Sequence, residues 1–446
     1  MANVTAGEGA AKRTRVRWLI IFLLFVVTVI NYADRATFSI AGSAASDELG
    51  LASVTMGWIL SAFAWAYVLA QIPGGALLDR FGTKAIYVAA LILWSFFTFI
   101  QGFAGIFGAG LAAAGALFVM RFLVGLSEAP SFPANARIVA AWFPTSERGT
   151  ASAIFNSAQY FALVAFAPLM GWLVHSFGWR SVFVVMGGIG LVAAAMFVAF
   201  IHPPTRHRGI NRAEFDYIEA GGALVHLEET KAGRGAAFTW HNVRQVLTSR
   251  MLLGVYLGQY CINALTYFFA TWFPIYLVRE RGLTIVEAGL AAAPAALCGF
   301  IGGLLGGVAS DWILKRTGSV TKARKLPLLV GMLLATSIVL CNYVDNQWLM
   351  VLIMSVAFFG KGIASLGWAV VSDTSPKELA GVTAGIFNTF GNIAGIVTPI
   401  VIGYLVAGTG GSFASTLWFL AAHCIVTILA YFLIVGKIER LELEPL

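Results

Sequence analysis

Residues 18–38 read Trp18-LIIFLLFVVTVINYADRAT-Phe38. The run is apolar except for Asn31, Tyr32 and the adjacent charges Asp34 and Arg35. About 20 apolar residues suffice to cross a bilayer as a helix. A charge near the bilayer centre costs about 3 kcal/mol on insertion scales, and it persists where it faces protein or a water-filled cavity. The stretch therefore predicts a spanning helix with a polar interior face. Other apolar runs carry Arg121 and Glu128, and Lys361. The five charges together predict a polar path through a membrane protein.

The rest of the chain fits that reading. It is 59% hydrophobic and 11% charged over 446 residues, where soluble domains carry about 25% charged residues. Candidate spans are 17–40, 54–77, 84–104, 109–140, 149–174, 180–201, 251–278, 285–314, 326–344, 347–371, 380–408 and 413–436. The expected fold is all-α and integral to the membrane, with twelve transmembrane helices in two six-helix bundles. Residues 1–16 and 437–446 are the expected cytoplasmic termini, 17–201 and 251–436 the bundles, and 202–250 a cytoplasmic linker. Within the linker, Arg212–Ile218 suggests a short amphipathic surface helix. The long continuous runs do not alternate as β-barrel strands do.

The formal net charge of +8 is a topology signal, and no nucleic-acid partner is expected. Lys12, Arg13, Arg15, Arg17, Arg80, Lys84, Arg148, Arg206, Arg208, Arg212, Lys315, Arg316, Lys322, Arg324, Lys325 and Lys377 fall on one set of loops. The other set carries Arg180, Arg279 and Arg281. Cation-rich loops stay in the cytoplasm, which places both termini there. The four cysteines have no paired spacing and read as core residues.

The halves repeat at an offset of 232 residues. Gly75 and Asp79 match Gly307 and Asp311; Pro144 and Gly149 match Pro376 and Gly381; Ile154-Phe155-Asn156 matches Ile386-Phe387-Asn388. An offset of six spans makes the repeat parallel, with a binding site between the halves near the midplane.

The loop from Gly75 through Asp79, Arg80 and Gly82 to Lys84 resembles the signature loop of the major facilitator superfamily, and Gly307 to Asp311 is a looser second copy. Asn31–Thr37, Gly125–Pro133 and Gln71–Gly75 resemble its anion:cation symporter branch. Ile138–Pro144, Gly258–Phe269 and Phe359–Gly362 are similar to bacterial glucarate and galactarate transporters. The resemblance implies proton-coupled import of a sugar diacid by alternating access, in a bacterial inner membrane, by a monomer with no cofactor or metal. Its partners are then the organic dianion, protons and the lipid bilayer. A symporter of a monocarboxylate such as galactonate is the alternative. An anion channel or a transporter-like sensor fits less well, because Asp34 and Glu128 spoil a cationic lining and the termini are short.

Neighbours on a helix diverge by about 100°, so Asp34 and Arg35 each need a partner from another helix. Arg121 and Glu128 are seven residues apart, about 10 Å along one face. Cross-pairing between the first and fourth spans is expected, with Asp34 near Arg121 or Arg35 and Glu128 near one of the same arginines. Asp34 and Glu128 are then proton-site candidates. Arg35 and Arg121 are candidate anion ligands, since a guanidinium forks onto a carboxylate and stays charged. A plain ion-pair lock between helices is the competing reading. Lys361, between Gly360 and Gly362, is a candidate for a second carboxylate, the glycines leaving room for a ligand; snorkelling to the interface competes. Tyr32, Tyr67, Gln159, Gln259, Asn263, Trp368 and Asn388 are candidates for walls and hydroxyl recognition, against ordinary interhelical hydrogen bonding. Asp79, Arg80, Gly82 and Asp311 are expected to act in gating. No phosphate loop, H-E-x-x-H or nucleophile elbow is present, so neither ATP coupling nor an enzyme is implied.

Overall fold

The computed structural model describes residues 13–51, 53–229, 239–273, 276–277, 280–283, 285–410 and 412–444. The helices of the N-terminal half are α1 (Val16–Leu49), α2 (Ser53–Phe81), α3 (Thr83–Gln101), α4 (Leu111–Glu128), α5 (Ser131–Trp142), α6 (Arg148–Phe177) and α7 (Trp179–Phe200). Two short helices follow, α8 (Arg212–Ala220) and α9 (Trp240–Thr248). The C-terminal half has α10 (Arg250–Tyr267), α11 (Ile285–Thr317), α12 (Val320–Thr336), α13 (Gln347–Ile363), α14 (Gly367–Thr374), α15 (Ala380–Gly408) and α16 (Ala414–Leu429). Among the described residues, ten stretches are long and apolar enough to cross a membrane. The other two expected spans correspond to α6 and to α10 with the π-turn Phe268–Trp272 that follows it.

The expected fourth and tenth spans are each built from two helices. Pro130 cannot donate the hydrogen bond that would carry α4 into α5, and the break falls directly after Glu128. α13 ends at Ile363 and the chain restarts in α14. Outward faces carry Leu19, Phe22, Leu93, Phe96, Leu333 and Trp418, all exposed. An apolar surface of that extent fits hydrocarbon and not water.

The linker helix begins at Arg212, as expected, and extends slightly past its expected end, to Ala220. Asn211 caps it by accepting the Glu214 N–H. It is amphipathic and lies on the bundle by one face: Glu214 and Ile218 are buried while Arg212, Asp216 and Glu219 are exposed, and Glu214 accepts from Arg17 at 2.7 Å, while Arg17 also binds Glu147 at 2.7 Å. The second linker helix, α9, has no counterpart in the sequence reading.

The 232-residue repeat becomes a pair of reciprocal contacts between the halves. Asp79, at the end of α2, accepts the N–H groups of Gly381 and Val382, both at 2.9 Å. Those groups open α15. Asp311 of α11 accepts from Gly149 (3.0 Å) and Thr150 (2.6 Å), which open α6. A carboxylate at a helix N-terminus satisfies orphan donors and meets the positive end of the macrodipole. Gly75 packs against the Gly381 carbonyl and Gly307 against that of Gly149, so a side chain at either would separate the helices. Each aspartate also has its own cation: Arg137 of α5 for Asp79 and Arg324 of α12 for Asp311. Asp373 bridges Arg148 (2.8 Å) and Arg324 (2.9 Å). Gly82 links α2 to α3 with φ +91°, a backbone that favours glycine. Arg80 is exposed beside Phe81.

The end of the molecule that holds these contacts also holds both described chain ends. Arg17 lies there with Glu147, and Arg440 donates to the carbonyl of Ser372 at 3.0 Å. Asp79→Asn and Asp311→Asn each replace a charge-assisted acceptor with a neutral one, at a cost of about 2 kcal/mol to the closed arrangement. Each variant is expected to raise the labelling rate of a cysteine placed at Thr150 or Val382 by an impermeant maleimide added on that side. Unchanged rates in both would mean that the caps do not hold this end shut.

Candidate functional site

A cavity of about 720 Å³ lies between the halves. That is ample for a small polyol acid; ligand sites typically run about 300–1,000 Å³. Its wall takes Tyr32 and Arg35 from α1, Tyr67 from α2, Gln159 from α6, Gln259 and Asn263 from α10, Lys361 from α13, Trp368 from α14 and Asn388 from α15. The π-turn after α10 adds Phe269 and Ala270; such turns recur at functional sites. The candidates for recognition are therefore brought together. Among the described lining residues, Arg35 and Lys361 carry charge, and both are cations.

The remaining charges lie behind the wall. Asp34, Arg121 and Glu128 are buried and do not line the cavity, so the expected path lined by all five charges is corrected. The reason is the helical divergence itself: with Arg35 facing the cavity, Asp34 must face into its own half. Arg35 Nε donates to Glu128 Oε1, an ion pair across α1 and α4. Arg121 Nη2 donates to the Arg35 backbone carbonyl at 2.9 Å. That holds the backbone of α1 and leaves Arg121 out of the wall. The donor that faces the Asp34 carboxylate is the Trp94 indole of α3. Of the expected cross-pairs, Glu128 with Arg35 forms, while Asp34 closes a hydrogen bond to neither arginine.

Arg35 sits in an aromatic cage. Its guanidinium carbon is 4.6 Å from the Tyr67 ring centroid, 4.8 Å from Tyr32 and 5.2 Å from Phe63. Cation–π attraction grows as water is excluded, so the cage helps to hold the guanidinium at the wall beside its pair with Glu128. An amide network joins the halves beside it. Asn388 donates to Tyr67 Oη (3.1 Å) and Gln71 Oε1 (3.0 Å). Asn392 donates to Asn388 (2.9 Å) and accepts from Tyr267 Oη (3.1 Å). Asn263 donates to the Gly391 carbonyl at 3.0 Å and accepts from Gln259 at 3.3 Å.

Lys361 is 2% exposed and in the cavity wall, away from any interface, so it does not snorkel. The glycines beside it do something other than expected. Gly360 packs on the Gly331 carbonyl of α12, and Gly362 on the Gly299 carbonyl of α11. They bring three helices close together and so fix the lysine's direction; they do not make ligand space. Sequence reasoning did not single out Arg137, Arg324 or Asp373. A charge count inside the apolar runs finds Arg137, and Asp373 lies two residues past Val371, the expected end of the tenth span.

Residues 24–399 match the Major Facilitator Superfamily, and the chain belongs to that family. It is 59% identical over 435 residues (98% of this chain, 95% of the relative) to the probable galactarate/D-glucarate transporter GudP of Bacillus subtilis (strain 168). It is 55% identical to GudP of Escherichia coli (strain K12) over 99% of this chain and 98% of that protein. The D-galactonate transporter of Escherichia coli O6:H1 is 39% identical over 97% of this chain and 98% of its own length. Among solved structures, the proton:xylose symporter XylE aligns with TM-score 0.74 at 14% identity, covering 96% of this chain and 98% of that one. FucP in the outward conformation aligns at 0.70 and 15%, covering 94% and 99%. These likenesses establish the twelve-helix fold.

The glycine packing is directly testable. Gly360→Val overfills the α12–α13 contact and Gly362→Val the α11–α13 contact, at about 1–3 kcal/mol each. Both are expected to lower the melting temperature of the detergent-solubilised protein, measured by intrinsic fluorescence. Unchanged melting with weakened substrate binding would return the glycines to the ligand.

Proposed function

We propose that this chain is a proton-coupled symporter that imports galactarate or D-glucarate by alternating access across a bacterial inner membrane, with both termini cytoplasmic. It works as a monomer. The observation that carries the reading is the cavity's charge: one cation from each half, Arg35 and Lys361, and no acidic side chain among the described lining residues. A sugar diacid has a carboxylate at each end and hydroxyls between them. Arg35 and Lys361 meet the two ends. Gln159, Gln259, Asn263 and Asn388 offer both donors and acceptors to the hydroxyls, and Tyr32, Tyr67 and Trp368 form apolar walls with polar tips. The names of the most similar relatives point to the same substrates.

Glu128 supplies the coupling. While ionised it occupies the Arg35 guanidinium. A proton on Glu128 weakens that pair and frees the fork for a substrate carboxylate. Charge then balances: the dianion offsets Arg35 and Lys361, protonated Glu128 is neutral, and Asp34 offsets Arg121. A discharged cavity is cheaper to bury from both sides than a charged one, so the halves rock with proton and substrate both aboard, or empty with Glu128 back on Arg35, and a carrier loaded with only one of the two is held back. Asp79 and Asp311, with Arg80 and Gly82 in the adjoining loop, gate the cytoplasmic end. Asp34 is the second proton site.

Uptake of labelled galactarate into proteoliposomes is expected to accelerate under an inward proton gradient; uptake indifferent to the gradient would sink the coupling. Glu128→Gln mimics the protonated form. It is expected to keep substrate counterflow while losing gradient-driven accumulation, and loss of both would assign Glu128 to binding. The D-galactonate relative keeps a monoacid substrate in view, and Lys361→Asn separates the two. The variant should weaken competition by galactarate by about tenfold, the worth of one charge-assisted contact, and leave a monoacid nearly unaffected. Equal losses would remove Lys361 from specificity.

A further inference from the structure

The position of Asp34 poses a problem of access. It is fully buried and does not line the cavity. Any proton that reaches it crosses the interior of the N-terminal half. The groups facing it are Glu128 and Arg121 of α4 and the Trp94 indole of α3.

The inward face of α3 supplies a way in. Trp94, Thr98 and Gln101 recur at helical spacing, so they stack on one face. All three are at most 1% exposed; Thr98 Oγ1 and Gln101 Oε1 have no hydrogen-bond partner, and the Trp94 indole N–H faces the Asp34 carboxylate. On α1, Asn31, one turn from Asp34, is likewise buried and faces Glu128. Orphans such as those of Thr98 and Gln101 are uncommon in folded proteins and call for an explanation. The cytoplasmic half of the same face is different. There Tyr87 donates to Asn135 at 2.8 Å, and Asn135 donates to Thr28 at 3.1 Å. Unpartnered groups are thus concentrated from Thr98 toward the end of α3 remote from the chain termini. Beyond Gln101 the surface dips into a depression lined by Gly102, Phe103, Gly105 and Arg180.

We infer that Gln101, Thr98 and Trp94 line a water file that carries protons from the outer surface to Asp34, by a route separate from the substrate cavity. The three side chains span about 10 Å along the helix, a length that about three hydrogen-bonded waters cover at ~2.8 Å spacing. Buried waters need two to four polar partners each. The Gln101 carbonyl, the Thr98 hydroxyl, the Trp94 N–H and the Asp34 carboxylate provide them in order. Hydroxyl and amide groups hold the waters without trapping the proton, because none of them titrates near neutral pH. They are positioning residues; Asp34 is the group that takes the proton. The inference rests on the proposed proton coupling.

The test is Thr98→Val combined with Gln101→Leu, which keeps volume and removes the polar atoms. In proteoliposomes, the initial rate of gradient-driven galactarate accumulation is expected to fall several-fold. Counterflow of labelled against unlabelled galactarate, which needs no net proton movement, is expected to match wild type. Thr98→Ser, which keeps the hydroxyl, should retain the wild-type accumulation rate. Equal losses in both assays would show a structural role and overturn the file. So would a variant that matches wild type in both while wild type responds to the gradient. Wild-type uptake that ignores the gradient would instead remove the coupling itself, and the file with it.

Discussion

Two aspartates hold this molecule in the arrangement described. Asp79 caps the helix that opens at Ala380, and Asp311 caps the one that opens at Arg148, each from the opposite half. Both carboxylates are buried, both accept two backbone amides, and both are balanced by an arginine. A carboxylate satisfied in this way is costly to disturb, because what remains is a charge or a set of amides without partners. The close glycine contacts at Gly75 and Gly307 depend on the same approach of backbone to backbone. From this end the halves stay together up to the level of Tyr67 and Asn388. The halves are therefore held together from the end that carries the chain termini up to the cavity.

The ion pair behind the cavity wall needs a different account. Burying a carboxylate with a guanidinium seldom adds net stability over an apolar pair of the same size. Arg35 holds a single oxygen of Glu128, Oε1, and does not fork onto both; Oε2 is turned toward Asn31. A lock designed only to join α1 to α4 would gain by forking onto both oxygens. The aromatic cage of Tyr32, Phe63 and Tyr67 points the same way, since it steadies the guanidinium without neutralising it. The arrangement favours a cation that can change partners over one that is permanently paired.

Much of this was legible in the sequence, for identifiable reasons. Membrane spans follow from length and hydropathy, because the bilayer imposes both. The repeat offset exposed Asp79 and Asp311 together, because duplicated geometry keeps the residues that each half lends to the other. The polar wall followed from helical spacing on α10 and α15. What could not be read was which side of α1 faced the substrate. Adjacent residues must diverge, but only packing decides that Arg35 turns toward the cavity and Asp34 away. The glycines around Lys361 misled for a similar reason: a missing side chain makes room, and only the neighbouring helices show that backbone fills it. The cations of the two aspartates break the repeat, Arg137 on α5 and Arg324 on α12, so no offset could find them.

The helix break at Pro130 ties these parts together. Because α4 ends at Glu128, the carboxylate sits where two compartments of the N-terminal half meet. One oxygen engages Arg35, which belongs to the cavity. The other lies on the side of Asn31, which belongs with Asp34 and the inner face of α3. In the proposed cycle, a proton arriving at Asp34 has Asn31 as the intervening polar group before Glu128, and its arrival there is felt at once by Arg35. Substrate and proton then need not share an entrance. They need only share Glu128, and that requirement accounts for a pair of adjacent opposite charges pointing in different directions from one helix.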